Sequence, residues 1–380
     1  MLCAMHVAAN FHSGNIEVLG LSGHTARLAI RQDHGSRHLQ WFHFLVAGAK
    51  GEAVELRIEN ANRASYERGW RDYRACASVD RERWVRVPTR YEDGSLIIEH
   101  TPDADLCWYA YFAPYDDARH QALIGRCQQA TGVRAEVLGT TLDGRTLDCL
   151  RFGVGPKVAW VIARQHPGET MAEWHVEGML ERLTDPADAL ARQLREALTF
   201  FVVPNMNPDG SARGHLRTNA AGTNLNRAWA EPSMDESPEV QLVRDRMDRT
   251  GVSFCLDVHG DEALPYNFIA GSAGVGSLPD AIHALRPRYE TALVRACPDF
   301  QTKHGYPPAA PREGNLKMAT NQIAHRYGAL AMTLEMPFKD NADAPDPVYG
   351  WSPARCKQLG RAQLDALRDV QDELPAPRPL

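Results

Sequence analysis

A histidine and a glutamate stand three residues apart in the stretch RQHPGETMAEW, where His166 and Glu169 enclose a Pro-Gly pair. The stretch follows the apolar run VAWVIA, which is typical of a strand buried on both faces. A second pair with the same spacing, His259 and Glu262, follows the apolar run VSFCLDV. Two histidines and one carboxylate can hold a hydrolytic zinc ion with a fourth position left for water. The spacing by itself leaves open whether Glu169 or Glu262 is the carboxylate.

These polar pairs can meet only if the two buried strands end at the same edge of one sheet. From about residue 120, apolar strand patterns alternate with amphipathic helical patterns. This alternation predicts an α/β domain over 119–375, with a mixed sheet and helices on both faces. The carboxyl ends of strands in such sheets form the usual binding crevice. Before about residue 118 the pattern has a period of two with frequent turns, which predicts an antiparallel β-sandwich over 1–118.

The composition is that of an ordinary globular chain large enough for two domains, with 380 residues, 44% hydrophobic and 24% charged. The net charge of -6 argues against a nucleic-acid binder that depends on whole-chain charge. No stretch approaches the roughly 20 apolar residues of a membrane span, and the N-terminus lacks the pattern of a secretory signal. The eight cysteines never form C-x-x-C. We therefore expect a cytoplasmic protein with no nucleic-acid or membrane partner.

Between the two histidines lies the loop VVPNMNPDGSARGHLRTNAAGTNLNRAW, which is rich in arginine and asparagine. Its arginines are Arg213, Arg217 and Arg227, and its asparagines are Asn205, Asn207, Asn219, Asn224 and Asn226. Guanidinium groups pair bidentately with carboxylates, and long loops inside compact domains are usually functional. The loop therefore predicts an anion-recognition surface. The alternative is a solvated loop in which NPDG forms a type I turn.

Six motifs in one order carry a family resemblance: HPGE, NPDG, GHLR, NLNRAW, DVHG and TLEMPF, spread between about residues 120 and 370. In this order they resemble the zinc metallocarboxypeptidases of the carboxypeptidase A type. The β-rich front half, with NRASYERGWRDY and FAPY, is similar to the cytosolic carboxypeptidase branch, whose members are deglutamylase-like. One departure is Asn224, which stands where that branch usually has Asp, and we expect it to matter little for the chemistry.

The resemblance implies a carboxypeptidase-like fold and one Zn²⁺ per chain, with His166, Glu169 and His259 as the metal ligands. It makes Glu335 of TLEMPF the general base, which takes a proton from the attacking water and passes it to the leaving amine. The alternative for Glu335 is a structural ion pair with an interior arginine. An ionisable group inside ALAMTLEMPF is costly to bury without a partner or a function.

The resemblance also implies how a substrate is held. Arg217 would lie beside the scissile carbonyl, and Asn226 and Arg227 would bind the free C-terminal carboxylate of a peptide or protein tail. The branch often removes glutamate, which requires a cation in the pocket for the departing side chain. Lys317 is our candidate for that cation, and a solvated surface lysine is the alternative. Tyr306 and Tyr327 are candidates for the tyrosine that many relatives bring over the bound substrate.

Two other functions remain open at this point. One is an N-acyl amino acid deacylase of the same fold, and the other is a catalytically silent zinc-containing module that binds acidic tails. A further segment, Arg63 to Arg90, interleaves arginines with aromatic residues. Such a pattern can bind single-stranded nucleic acid, but we favour an interpretation in which it docks one domain onto the other.

Overall fold

The computed structural model describes residues 5–310 and 312–380. In the N-terminal half these residues form the strands β1 (His6–Ala8), β2 (Glu17–Ser22), β3 (Thr25–Ala29), β4 (His43–Ala47), β5 (Val54–Ile58), β6 (Cys76–Ser78), β7 (Val85–Arg86), β8 (Thr89–Glu92), β9 (Ser95–His100) and β10 (Leu106–Ala110). Two five-stranded sheets result, with the orders β1-β4-β10-β6-β7 and β2-β3-β5-β9-β8. Neighbouring strands are antiparallel except for the parallel pair β3 and β5. The predicted β-sandwich is confirmed, and this parallel pair was not anticipated.

The period of two in the sequence explains which face of each strand is buried. In β5, Val54, Leu56 and Ile58 are buried, whereas Glu55 and Arg57 between them are only half-buried. Successive side chains of a strand point to opposite faces, so this alternation gives the sheet one apolar face. Apolar residues of both sheets belong to one buried core.

The C-terminal half contains a seven-stranded mixed sheet with the order β11-β12-β14-β13-β15-β17-β16. Its strands are β11 (Arg134–Thr140), β12 (Thr146–Phe152), β13 (Lys157–Ala163), β14 (Leu198–Val203), β15 (Phe254–Asp261), β16 (Phe268–Gly271) and β17 (Leu330–Pro337). The central strands β14, β13, β15 and β17 run parallel, and the outer pairs are antiparallel. The central strands are the nearly uniform apolar runs of the sequence, as expected for strands covered on both faces.

The helices of this half are α1 (Asp117–Cys127), α2 (Met171–Leu183), α3 (Ala189–Ala197), α4 (Pro208–Arg213), α5 (Pro238–Thr250), α6 (Asp280–Ala296), α7 (Ala319–Tyr327) and α8 (Pro353–Val370). Helices α2 and α8 pack closely because a glycine of each faces the other backbone. A Cβ at Gly178 would lie 2.2 Å from the carbonyl oxygen of Lys357, and a Cβ at Gly360 would lie 2.0 Å from that of His175. Any side chain at either position would force the two helices apart.

The two halves are joined by a buried arginine of the Arg63 to Arg90 segment. Arg86, in β7, donates through its guanidinium to the carbonyl oxygens of Phe338 at 2.7 Å, Lys339 at 3.1 Å and Trp351 at 3.2 Å. Beside it the ring of Tyr111 stacks on Phe338, with ring centroids 4.4 Å apart. The docking interpretation is confirmed for Arg86.

Helix α1 is attached to helix α2 and strand β12 through a buried histidine. His120 lies 2.5 Å from Oε1 of Glu173 in α2 and 3.1 Å from Oδ2 of Asp148 in β12. Burial opposes the charge of the imidazole, but the carboxylates of Glu173 and Asp148 outweigh burial and raise the pKa of His120 from 6.5 to about 10. His120 is therefore charged near neutral pH and joins three elements.

This pKa predicts a loss of stability at alkaline pH. The folded-state pKa lies above the unfolded-state pKa, so the contribution of His120 is complete below pH 6.5 and is lost as the pH rises towards about 10. We expect His120→Gln to flatten the pH dependence of the free energy of unfolding over this window, measured by urea unfolding. His6→Gln changes an exposed histidine of β1 and serves as the control. A pH dependence that is unchanged in His120→Gln would contradict the prediction.

Two negative features also follow from the described residues. Within 5–310 and 312–380, no helix combines the length and the apolar character that crossing a bilayer requires. The seven cysteines in this part of the chain are buried and unpaired: Cys76, Cys107, Cys127, Cys149, Cys255, Cys297 and Cys356. The eighth, Cys3, lies outside the described residues.

Candidate metal centre

The two candidate histidines meet because their strands are neighbours. Strands β13 and β15 are parallel, with Ala163 opposite Val258. His259 follows Val258 directly, and His166 follows Ala163 after two intervening residues. The imidazole centroids of His166 and His259 lie 4.8 Å apart, and both side chains are buried. The carboxyl-terminal edge of the sheet thus collects residues that are far apart in the sequence.

The turn between β13 and α2 is held in an unusual backbone conformation. Arg164 has a φ of 59°, in the left-handed region that side chains other than glycine rarely adopt. Its buried guanidinium donates to the carbonyl oxygens of Tyr115 at 2.7 Å and Pro167 at 3.0 Å, and to Glu173 at 2.7 Å. These contacts offset the strain and aim the next residues at the edge of the sheet.

The carboxylate of Glu169 lies between the two imidazoles. Its Oε1 is 2.7 Å from Nδ1 of His166, and its Oε2 is 2.7 Å from Nδ1 of His259. One ligand atom from each of the three buried residues lies within 4.8 Å of the others. Of the two glutamates that the spacing left open, Glu169 is the one brought between the histidines. Glu262 is buried nearby but does not belong to this cluster.

The outer nitrogens of the imidazoles have acceptors of their own. Nε2 of His166 lies 3.1 Å from Oδ1 of Asn224, and Nε2 of His259 lies 2.9 Å from Oδ2 of Asp257. Both oxygens accept hydrogen bonds, so each Nε2 carries a hydrogen and each Nδ1 is directed at Glu169. Acceptors on the outer nitrogens of metal-ligating histidines fix the tautomer in the same way. Asn224 supplies this acceptor without the charge of an aspartate.

The protonation of these groups tests whether a zinc ion fits. Burial lowers the pKa of His166 to about 3, helped by the charge of Arg217, so this imidazole is neutral and its Nδ1 presents a lone pair to the carboxylate. Burial also opposes the charge of His259, but Asp257 and Glu169 raise its pKa well above 6.5. Two acceptor atoms at 2.7 Å repel each other unless a cation lies between them. A zinc ion would remove this repulsion and replace the second proton of His259, so the donor set fits it.

A buried hydrogen-bond chain, which we did not anticipate from the sequence, supports the centre from behind. Trp229 of NLNRAW donates through Nε1 to Oε1 of Gln165 at 2.8 Å. Gln165 donates through Nε2 to Oδ2 of Asp257 at 2.7 Å, and Asp257 accepts from His259. The sequence contains one indication of a role for these three residues, namely that each of them stands inside one of the six motifs or directly beside one.

Breaking this chain should weaken zinc binding. Trp229→Phe removes one donor and leaves the buried Gln165 oxygen without it, so Asp257 and His259 lose part of their orientation. We expect zinc affinity, measured by competition with a chromogenic chelator, to fall by about 10-fold. Trp351→Phe is a matched control, because Trp351 is also buried and its Nε1 has no partner within the described residues. Equal affinities in the two variants would contradict the prediction.

Glu335 stands beside the centre because β17 is the next parallel strand. It is directly opposite His259 in the pairing of β15 with β17. Its side chain is buried, and Oε2 has no hydrogen-bond partner among the described residues. Burial raises the pKa of Glu335 well above 4.5. The charge of His259 opposes this shift, and the negative charges of Glu169 and Asp261 add to it. An unpartnered carboxyl group with a raised pKa beside a metal centre has the properties of a proton carrier.

Two arginines of the anion-recognition loop lie near the centre without an ion pair. No carboxylate of the described residues lies within ion-pair distance of Arg217 or Arg227. Burial and the charge of Arg217 lower the pKa of Arg227. Asn226 accepts from the backbone N–H of Ala319 at 2.9 Å, and its Nδ2 is 3.5 Å from Nε2 of His259. Two nearby cations and an amide next to the centre suit an incoming carboxylate.

The remaining predicted residues differ in how they relate to this site. The Lys317 side chain is exposed, and its backbone carbonyl accepts from the N–H of Trp229 at 3.2 Å. Tyr306 donates through its hydroxyl to Oδ2 of Asp261 at 2.5 Å, beside Glu335. The hydroxyl of Tyr327 instead donates to Asp248 of α5. Of the two tyrosines, only Tyr306 therefore remains a candidate for a contact with substrate.

Comparisons with known proteins agree with this geometry. Residues 124–270 match the family model described as zinc carboxypeptidase, and residues 7–112 match the cytosolic carboxypeptidase N-terminal domain. The chain is 52% identical to the protein ZMO1242 of Zymomonas mobilis over 98% of both chains. It superposes with a TM-score of 0.95 on a metallo-carboxypeptidase from Pseudomonas aeruginosa, solved in complex with (2-guanidinoethylmercapto)succinic acid. The identity there is 44%, over 97% of this chain and 100% of that one.

More distant relatives are longer than this chain. Human cytosolic carboxypeptidase 1 is 26% identical over 69% of this chain, and the match spans only 26% of that protein. The N-terminal family model covers nearly all of the β-sandwich, and the zinc carboxypeptidase model covers the mixed-sheet half as far as residue 270. The similarity to the metallo-carboxypeptidase from Pseudomonas aeruginosa extends over 97% of this chain. The chain is therefore a zinc carboxypeptidase of the branch that carries the cytosolic carboxypeptidase N-terminal domain.

Proposed function

We propose that this enzyme removes single residues from the free C-terminus of peptides or protein tails. The observation that carries the proposal is the pair of arginines, Arg217 and Arg227, that have no carboxylate partner within the described residues and lie beside the His166, Glu169 and His259 cluster. A substrate that brings its own carboxylate supplies the missing charge. Bonds in the middle of a chain lack this charge, which explains why an exopeptidase reaction is favoured.

In this proposal each residue of the site has a separate role. His166, Glu169 and His259 would hold one zinc ion, which would supply a Lewis acid and lower the pKa of a bound water to about 7. Glu335 accepts the proton of the attacking water and delivers it to the amine that leaves. Arg217 donates hydrogen bonds to the scissile carbonyl as negative charge develops on its oxygen. Arg227 and Asn226 bind the terminal carboxylate.

A panel of short peptides that differ only in the last residue tests the proposal. We expect release of that residue from the free acids, and none after a chelator has removed the metal. The matched C-terminal amides should react at least about 30-fold more slowly, because they leave the arginines unpaired. Equal cleavage of acids and amides would contradict the carboxylate clamp. Faster cleavage of N-acyl amino acids would identify a deacylase instead, and binding without cleavage would identify a silent module.

The proposal includes a preference for C-terminal glutamate. Its support is Lys317, a cation in the segment that leads into α7, whose first residue donates to Asn226. On the same panel, Lys317→Leu should shift the preference from glutamate towards apolar residues. Lys50→Leu, which removes an exposed cation of the β-sandwich, is the control. A preference that Lys317→Leu leaves unchanged would remove this part of the proposal.

We also propose a division into an N-terminal β-sandwich domain over 1–118 and a catalytic domain over 119–375. The separate family-model matches at 7–112 and 124–270 support this division. A cytoplasmic location is proposed from the names of the cytosolic relatives. Fractionation of cells that express the full chain tests the location, and co-purification with a membrane marker would contradict it.

A further inference from the structure

An aromatic ring of the β-sandwich lies against the guanidinium group of Arg217. The guanidinium carbon is 5.4 Å from the centre of the Tyr66 ring, within the range of cation–π attraction. Tyr66 belongs to the segment between β5 and β6, whereas Arg217 lies in the loop after α4. The contact therefore crosses from one half of the protein to the other and reaches the side chain next to the centre.

Tyr66 is held in place by its own domain. The side chain of Gln40, which is buried, accepts from the backbone N–H of Tyr66 at 2.9 Å and donates to its carbonyl oxygen at 3.1 Å. The same amide nitrogen donates to the hydroxyl of Tyr111 at 3.0 Å. This two-sided clamp fixes the backbone of Tyr66, so the position of the ring is defined before any substrate binds.

The backbone of Arg217 is fixed by the same domain. Asp33, which is buried, accepts from the backbone N–H groups of Leu216 at 2.7 Å, Arg217 at 2.8 Å and Thr218 at 3.0 Å. It also accepts from the hydroxyl of Thr218 at 3.1 Å. Hydrogen bonds to a carboxylate are among the strong ones, so this loop is firmly attached to the β-sandwich.

The guanidinium of Arg217 has no other anchor in the described part of the chain. Its backbone N–H makes the hydrogen bond to Asp33, but its guanidinium makes no hydrogen bond and no ion pair there. A long side chain with this freedom needs a surface to limit its directions, and the ring of Tyr66 is such a surface.

We propose that Tyr66 is a positioning residue, whose ring holds the Arg217 guanidinium in the direction of the scissile carbonyl. The β-sandwich is then a component of the active site, since Asp33 sets the backbone of Arg217 and Tyr66 sets its side chain. The inference depends on the proposed role of Arg217. Its expected signature is kinetic, because a donor that acts on developing charge changes kcat more than KM.

Two variants of Tyr66 and one control test the role of the ring in the peptide assay. Tyr66→Leu should lower kcat by about 5- to 30-fold with little change in KM, whereas Tyr66→Phe, which keeps the ring, should stay within about 2-fold of the wild type. Tyr91→Leu removes another tyrosine of the β-sandwich, one that bonds to Glu67, and is the control. A Tyr66→Leu protein with unchanged kcat, or a Tyr66→Phe protein as slow as Tyr66→Leu, would overturn the proposal.

A variant that keeps the aromatic ring covers the case in which Tyr66→Leu does not fold. Tyr66→4-cyanophenylalanine keeps a flat ring but withdraws electrons from it, which weakens attraction for a cation. Its kcat should lie below that of Tyr66→Phe, and equal values would overturn the proposal. In an Arg217→Gln background, which removes the cation, the loss caused by Tyr66→Leu should largely disappear, because interacting residues are not additive.

A spectroscopic measurement separates this inference from the proposed function. The Nε–Hε resonance of Arg217, assigned by its loss in Arg217→Lys, should be shifted by the ring in the wild type and in Tyr66→Phe. It should move to an ordinary arginine position in Tyr66→Leu, and a resonance that does not move would overturn the inference. If the resonance moves as expected but the wild type releases no C-terminal residue, the proposed function fails and the contact stands.

Discussion

Glu335→Gln is expected to lower kcat for release of a C-terminal residue by about 10²- to 10⁴-fold, because glutamine keeps the shape of glutamate but cannot accept a proton. The zinc content should stay unchanged, since Glu335 is opposite His259 and does not belong to the His166, Glu169 and His259 cluster. KM should change little, because the arginines that receive the carboxylate are intact. Stopped assays with a short peptide and metal analysis of the same sample measure both quantities.

A matched control separates the loss of a base from the loss of any buried carboxyl group. Glu239, in α5, is also buried, and burial raises its pKa to about 7. Its side chain accepts from the amide of Asn219 at 3.1 Å and is not part of the proposed machinery. Glu239→Gln should keep nearly all of the wild-type rate. A Glu335→Gln enzyme that turns over as fast as Glu239→Gln would refute the assignment of the base.

Glu169→Gln is expected to abolish stoichiometric zinc binding and, with it, peptide hydrolysis. The substitution keeps the size of the side chain but removes the negative charge that lies 2.7 Å from both Nδ1 atoms. A folded protein that binds zinc is stabilised by mass action, by about 4 kcal/mol when free zinc is 1,000 times the Kd. The wild type should therefore gain thermal stability on addition of zinc after chelation, and Glu169→Gln should gain none.

The glutamate that the spacing left as an alternative provides the control. Glu262→Gln changes a buried carboxyl group close to the same site, but Glu262 lies outside the three-residue cluster. This variant should retain one zinc per chain and the zinc-dependent rise in melting temperature. If Glu262→Gln lost zinc while Glu169→Gln kept it, the carboxylate ligand would have been assigned to the wrong residue.

The local patterns were readable from the sequence because they depend on neighbours along the chain. The uniform apolar runs before His166 and His259 predicted strands buried on both faces, and the period of two before residue 118 predicted the β-sandwich. The amphipathic patterns after residue 120 predicted helices for the same reason. A buried face requires an apolar residue about once per turn of a helix and at every second residue of a strand. A short stretch of sequence therefore already shows the pattern.

Other features required the fold. The spacing treated Glu169 and Glu262 alike, and only the turn after β13 shows which of them is brought between the imidazoles. The parallel pairing of β3 with β5 had no local signature, since both strands carry the same alternation as their antiparallel neighbours. Tyr306 and Tyr327 were equivalent candidates until one of them was found to bond with Asp248 of α5.

The sequence by itself determined the kinds of secondary structure, the family and the residues that could hold a metal ion and a carboxylate. The tertiary structure decided how these residues are supported: the chain from Trp229 through Gln165 to Asp257, and the contacts of Asp33 and Tyr66 with the loop of Arg217. These contacts join residues that are far apart in the sequence, and single hydrogen bonds or ring contacts leave no periodic pattern. They exist only after the strands have paired and the β-sandwich has packed against the catalytic half.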